Sequence, residues 1–240
     1  MVTLKYDIVL IGLVIMVSES LLEQARDFHG HVCPYLVLGL RASEIAFERL
    51  GITRVGVAET MREDVVAIVE ANNCFADGVQ VFTRCTFGNN SLVYLDTGKT
   101  ALTVFRRGEK RGVRVYVLSE RVKELLPPEV GELWRRVVAE RRGSREDAER
   151  LHEAFEKLGR GMLNLPEDFF KISEVEVVEE LERAPIFESV RCESCGELVM
   201  KPRAVLKDGK WFCASCVGLP VQAVVGRGIS TVKVPFREVS

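Results

Sequence analysis

Two short cysteine couplets near the C-terminus constrain this chain most: Cys192-Glu-Ser-Cys195 and Cys213-Ala-Ser-Cys216, with seventeen residues between the inner cysteines. Two thiolates on one tight turn fill half of a tetrahedral shell and a second such turn completes it, so the spacing predicts one structural zinc ion held by all four. Gly196 lets the backbone turn directly after the first couplet, and the interval is long enough to fold back as a short hairpin. Two disulfides or four unrelated thiols are the alternative. A closed four-thiolate shell leaves no position for chemistry, so any activity has to come from elsewhere in the chain.

A length of 240 residues accommodates one good-sized domain and a small appendage. The formal net charge of −2 carries no general affinity for nucleic acid, which is not expected as a partner. Seven cysteines, four of them in couplets, suit reduced metal-binding thiols better than a secreted disulfide framework, and a cytoplasmic location is the expectation. The apolar run from Ile8 to Val17 is about half the length a helix needs to cross a bilayer, so no membrane is expected. Lys5 precedes the run as in a signal peptide, but no small-x-small cleavage site follows before Ser18. A start at Met16, with residues 1–16 an extension, or a docked N-terminal strand is favoured over export.

From Ser18 the chain reads as a short serine-capped helix, then Phe28-His-Gly-His-Val-Cys-Pro34, then a helix from Leu36 to Leu50 that stops at Gly51. Thr53 to Thr60 reads as a strand, and Asp64 to Asn72 as a strand or buried helix. Ala76-Asp-Gly78 reads as part of a turn-rich link. Ser91–Leu95, Thr100–Phe105 and Val113–Leu118 read as neighbouring antiparallel strands. Helices follow at 119–126, 129–142 and 145–158, the last opened by a capping box, Ser144-Arg-Glu-Asp147, with Asp in the place of Glu or Gln. Lys171 to Val178 is read as a last strand. The expected divisions are residues 17–184 for the main domain, 185–218 for the zinc module and 219–240 for a tail forming a final hairpin.

Two of the three histidines, His29 and His31, lie within four residues of Cys33. In an extended segment all three share a face, and imidazole and thiolate are both good donors for zinc and similar metals. Surface histidines beside a buried cysteine are the alternative. Cys74 and Cys85 each end an apolar segment next to polar turn residues, where functional side chains converge on a cleft, although lone cysteines are commonly inert core residues. Asp96 and Lys99 are candidates for orienting or contacting a ligand or cofactor. Turn formation is the competing reading for Asp77 and Asp96. His152 lies in a charged helix and is read as solvated.

Together, His29-Gly-His31-Val-Cys33-Pro34, Asn73-Cys74 with Asp77 and Val79-Gln80, Cys85-Thr-Phe-Gly88-Asn89 and Asp96-Thr-Gly98-Lys99 resemble the E-subunit family of formylmethanofuran dehydrogenase over residues 17–218. The resemblance implies an α+β fold, a mixed sheet packed with helices, followed by a treble-clef zinc module with Cys213 and Cys216 at the start of a short helix. It also implies a second metal or reactive-thiol site drawn from His29, His31, Cys33, Cys74 and Cys85, holding a second zinc or another transition metal. A homodimer and an oxidoreductase partner are further implications. Arg84 stands where the family commonly has glycine, which would narrow the cleft or contact an anionic ligand.

Three functions remain open. The chain is a metal-binding protein accessory to a molybdenum- or tungsten-type oxidoreductase, a stand-alone enzyme using a metal or the thiols of Cys33 and Cys85 on a small substrate, or a ligand-sensing regulator whose finger touches nucleic acid. Lys201, Arg203, Lys207 and Lys210 are the scattered cations on which the last depends.

Overall fold

The computed structural model describes residues 17–236 except Arg54, so the expected extension and the start at Met16 lie outside the described residues. The chain divides after Leu181 into two compact units.

In the first unit, Ser18 caps helix α1 (Glu19–His29) by accepting the Leu21 N–H, and Gly30 ends it in the left-handed conformation at φ 93°. Helix α2 (Pro34–Leu50) opens with proline at its first position and closes on left-handed Gly51. Leu36, Leu38, Leu40, Ile45 and Phe47 are all buried along it, so α2 is a central helix rather than an amphipathic surface one. Its one buried acid, Glu44, is 1 % exposed. That carboxylate accepts the Val17 N–H at 2.8 Å and an ion pair from Arg41, whose Nε donates to Leu165 O at 3.0 Å. These partners offset the cost of burying the charge.

The sheet has the order β2-β1-β3-β4-β5, formed by β1 (Val65–Val69), β2 (Leu92–Tyr94), β3 (Ala101–Arg106), β4 (Arg111–Val117) and β5 (Phe170–Glu176). Strands β1 and β2 are parallel and joined through helix α4 (Cys74–Thr83), while the remaining pairs are antiparallel. Helix α2 packs on β3 and β4 and against α4. This is the expected mixed α+β sheet with helices.

Several local expectations are corrected. Ser91–Leu95 does not neighbour Thr100–Phe105, because β1 lies between them and pairs in parallel with β2. The described residues of Thr53–Thr60 form no strand: the second half enters the short helix α3 (Val57–Met61), where Glu59 accepts the Gly56 N–H at 2.9 Å. Ala76-Asp77-Gly78 is no turn but the interior of α4. The segment 119–142 divides into α5 (Ser119–Glu124), α6 (Pro128–Trp134) and a π-helical turn, Arg135–Ala139. Helix α7 (Arg145–Gly161) begins with the reciprocal box, Asp147 N–H to Ser144 Oγ and Ser144 N–H to Asp147 Oδ2, both at 3.0 Å.

The second unit carries hairpins β6–β7 (Ser189–Arg191, Leu198–Met200) and β8–β9 (Ala204–Lys207, Lys210–Cys213), followed by β10–β11 (Val221–Val225, Gly228–Val232). Asp208 and Gly209, at φ 51° and 74°, form the turn of β8–β9, with the positive φ pair that two-residue hairpins favour.

Candidate metal centres

Hairpin β6–β7 presents Cys192 and Cys195 on its connecting turn, where Gly196 takes φ 76°. Hairpin β8–β9 delivers Cys213 at its end, and Cys216 follows on one turn closed by Val217 N–H to Cys213 O. The short helix expected at Cys213 is thus a single turn. The four sulfurs lie within 4.8 Å of one another, and Cys195 Sγ is 4.0 Å from Cys213 Sγ. Zinc–sulfur bonds of about 2.3 Å imply tetrahedral sulfur–sulfur edges of roughly 3.8 Å, so the set fits zinc. Backbone N–H groups of Cys195 and Cys213 point at Cys192 Sγ and hold its thiol down to about 6. Lys201 pairs with Glu188 at 2.8 Å and Lys210 with Glu193 at 2.6 Å, which neutralises two of the four scattered cations on this module.

The first unit gathers a second donor set, His29, Cys33 and Cys74, whose ligand atoms also lie within 4.8 Å of one another. Three helix ends build it. His29 is the last residue of α1, Cys33 is the N-cap of α2 and Cys74 is the first residue of α4. Both thiols therefore sit at helix N-termini, where the partial positive charge of free N–H groups favours thiolate. The α2–α4 crossing brings those two ends together, and it depends on two glycines. A Cβ added at Gly39 would meet Phe75 O at 2.1 Å, and one at Gly78 would meet Leu36 O at 2.1 Å.

Asp77, one turn into α4, bonds His29 Nδ1 through Oδ2 at 2.7 Å, while Gln80 Nε2 donates to its other oxygen at 3.2 Å. This leaves His29 Nε2 facing Cys33 Sγ at 3.9 Å. A carboxylate on the far nitrogen is the arrangement that fixes the tautomer and raises the basicity of a metal-bound imidazole. The hydrogen bond between the two thiols pulls Cys74 down to about 6, with help from His29, and pushes Cys33 up, as does burial. The donor set of one imidazole and two thiolates, with two helix N-termini and an orienting carboxylate behind it, fits a borderline transition metal.

The sequence pattern placed some of these residues differently. His29, His31 and Cys33 do not share a strand face, because Gly30 ends a helix between the first two and Cys33 starts another. The His31 ring lies 4.5 Å from that of His29 and outside the donor set; burial and the neighbouring His29 and His152 lower its pKa. Cys85 is also outside it: its Sγ donates to Val65 O at 3.4 Å, and burial pushes the thiol up to about 11. That leaves it a core thiol rather than a ligand or nucleophile.

Asp77 holds a histidine instead of forming a turn, and its place one turn after Cys74 becomes evident only once 74–83 is known to be helical. Asp96 accepts the Tyr94 hydroxyl at 2.6 Å, and the Lys99 backbone N–H bonds Glu70 O at 3.1 Å, so both belong to the loop beyond the β2 edge strand. Arg84 caps α4 at φ 59°, a conformation that glycine adopts freely, and its side chain donates to Val55 O at 3.2 Å. His152 is exposed, as read, and its ring lies 6.4 Å from that of His31.

A family model described as FmdE, molybdenum formylmethanofuran dehydrogenase operon, matches residues 28–171, and one for the prokaryotic DksA/TraR C4-type zinc finger matches residues 185–217. A protein of Archaeoglobus fulgidus, named a probable S-adenosyl-L-methionine-binding protein, is 52 % identical over 219 residues, or 91 % of this chain. Those residues make up 58 % of that relative, so the chain spans less than two thirds of its length. The crystal structure of a tungsten formylmethanofuran dehydrogenase FmdE-like protein from Syntrophus aciditrophicus has a TM-score of 0.54 and 24 % identity, over 83 % of this chain and 91 % of that one. At that identity the likeness is one of fold. The C4 finger match and the four clustered sulfurs together make this a zinc-binding protein.

Proposed function

The chain belongs to the FmdE family, and from that premise we propose that its first unit holds a second metal ion through His29 Nε2, Cys33 Sγ and Cys74 Sγ and presents that ion's open position to a small ligand. The observation that carries this reading is the His29–Asp77 contact at 2.7 Å, which turns the free imidazole nitrogen toward the two thiols. Three protein donors with one open position are the pattern of catalytic rather than structural zinc. When bound, such an ion supplies Lewis acidity at that open position. The protein's own residues do the rest: the helix ends stabilise the thiolates, and Asp77 fixes the imidazole.

The name of the Archaeoglobus relative directs the choice of the first ligand to S-adenosyl-L-methionine, whose amino-carboxylate end offers nitrogen and oxygen donors. Accessory service to a molybdenum or tungsten oxidoreductase is a second reading, supported by the description of the family and by the name of the Syntrophus protein. The thiol-enzyme reading loses support at Cys85, which is buried and whose thiol burial pushes up to about 11.

The test is metal content per chain in the wild type and in Cys33→Ser, Cys74→Ser and Cys85→Ser. The first two variants are expected to lose one ion and Cys85→Ser none. Asp77→Asn should keep the fold and weaken binding of the second ion about 10- to 100-fold, read by competition with a chromophoric chelator. Unchanged affinity would remove Asp77 from the site.

A further inference from the structure

Three of the seven cysteines lie outside the four-cysteine set, and their surroundings differ. Cys85 is 1 % exposed, and its Sγ is taken up by Val65 O at 3.4 Å. Cys33 and Cys74 come together where the N-termini of α2 and α4 meet, with their Sγ atoms within 4.8 Å of each other and both thiols free. A disulfide bond is about 2.05 Å long, so the sulfurs have to close by at most about 3 Å, within reach of rotation about the two Cα–Cβ bonds.

The two thiols are also unequal. Cys33 is 4 % exposed, whereas Cys74 is half-buried and open to a small solute. Cys74 is the first residue of α4, where free N–H groups favour thiolate, the form that attacks a peroxide. Cys33 Sγ has His29 Nε2 at 3.9 Å, and the Asp77 carboxylate on Nδ1 leaves that nitrogen free to take a proton.

We propose that Cys33 and Cys74 are a peroxide-sensitive dithiol, in which Cys74 is oxidised and Cys33 resolves it to an intramolecular disulfide. The Cys74 thiolate attacks one oxygen of hydrogen peroxide, the O–O bond breaks, hydroxide leaves and Cys74 becomes a sulfenic acid. Cys33 Sγ then attacks Cys74 Sγ and passes its proton to His29 Nε2, and the S–O bond breaks as the S–S bond forms. The departing hydroxide takes that proton as water, so two thiols and one peroxide give one disulfide and two waters. The disulfide needs only the two sulfurs and does not rest on the metal reading. Its consequence does rest on it: the bond removes two of the three proposed ligands, so oxidation releases the ion and a reductant restores the site.

The experiment uses the full chain, stripped of metal under reductant and given back one equivalent of Zn²⁺ for the four-cysteine module. After hydrogen peroxide, alkylation and proteolysis, mass spectrometry should find a cross-linked peptide joining Cys33 to Cys74 that dithiothreitol resolves, and Cys85→Ser should give the same peptide. Peroxide should consume Cys74 about tenfold faster than Cys85. In Cys33→Ser the sulfenic acid has no resolving thiol, so dimedone present during the reaction should label Cys74. Cys74→Ser should give neither that label nor the cross-link. The proposal is overturned if no Cys33–Cys74 peptide forms, or if Cys33→Ser takes no dimedone at Cys74. A second equivalent of Zn²⁺ should slow the cross-link. A cross-link that forms at the same rate with it supports the disulfide and counts against the metal reading alone.

Discussion

A strong chelator added to the full chain should dissolve the strands β6–β9 of the second unit and leave the first unit folded. Among the described residues after Leu181, the only buried apolar side chains are those of Cys192 and Cys213. Leu198, Met200 and Leu206 stand exposed on those strands, so the hairpins have no hydrophobic core of their own. Four metal–thiolate bonds take its place. Binding of a structural zinc contributes on the order of 10–16 kcal/mol at neutral pH, far more than short, exposed hairpins gain by pairing. The first unit, by contrast, buries an apolar core around α2, with Leu36, Leu38, Leu40 and Ile45 wholly excluded from solvent, and that core needs no metal. Amide signals in the second unit should collapse to unfolded positions on chelation and recover with Zn²⁺. Hairpin signals that persist in the metal-free protein would contradict this account.

Gly39→Ala and Gly78→Ala should be the most damaging single substitutions in the first unit. Each added methyl would meet a backbone carbonyl oxygen at 2.1 Å, and neither carbonyl is able to move without its whole helix. Separating α2 from α4 costs about 3 kcal/mol or more and lowers the melting temperature of a unit this size by roughly 10 °C. The same displacement parts Cys33 from Cys74, so the second ion should be lost along with the stability. Gly131→Ala is the control. Nothing lies within 4 Å of its added Cβ, and it stands inside α6, where alanine is the better helix former. A melt of Gly39→Ala indistinguishable from that of Gly131→Ala would refute the close crossing.

These glycines also show where the sequence stopped being legible. Asp77-Gly78 reads as a turn because glycine and aspartate are the residues of turns, and nothing local reveals that Gly78 is small in order to admit another helix. Missing α4 also hid Asp77 as the partner of His29 and left Cys74 at the end of an apolar segment rather than at a helix N-terminus.

The Val55 to Thr60 stretch misled through β-branched residues whose conformation Glu59 overrides by capping. Strand order was out of reach for a related reason: once α4 is recognised, β1 and β2 become a parallel pair with a crossover helix, and β2 no longer follows as a hairpin strand. Signals confined to a few residues were readable. The cysteine couplets, the Ser18 cap, the Ser144–Asp147 box, the stop at Gly51 and the hairpin after Cys216 are all local, and each names its own partner.

The central claim, a three-ligand metal centre of His29, Cys33 and Cys74 apart from the four-cysteine zinc, is tested most directly by comparing the metal content of Cys74→Ser and Cys85→Ser in parallel. The two side chains lie close together in sequence and are both thiols, but one faces His29 and the other donates to Val65 O. Cys74→Ser should carry one ion fewer per chain than the wild type and Cys85→Ser the same number. Equal metal content in both variants, or loss of the ion from Cys85→Ser alone, would contradict it.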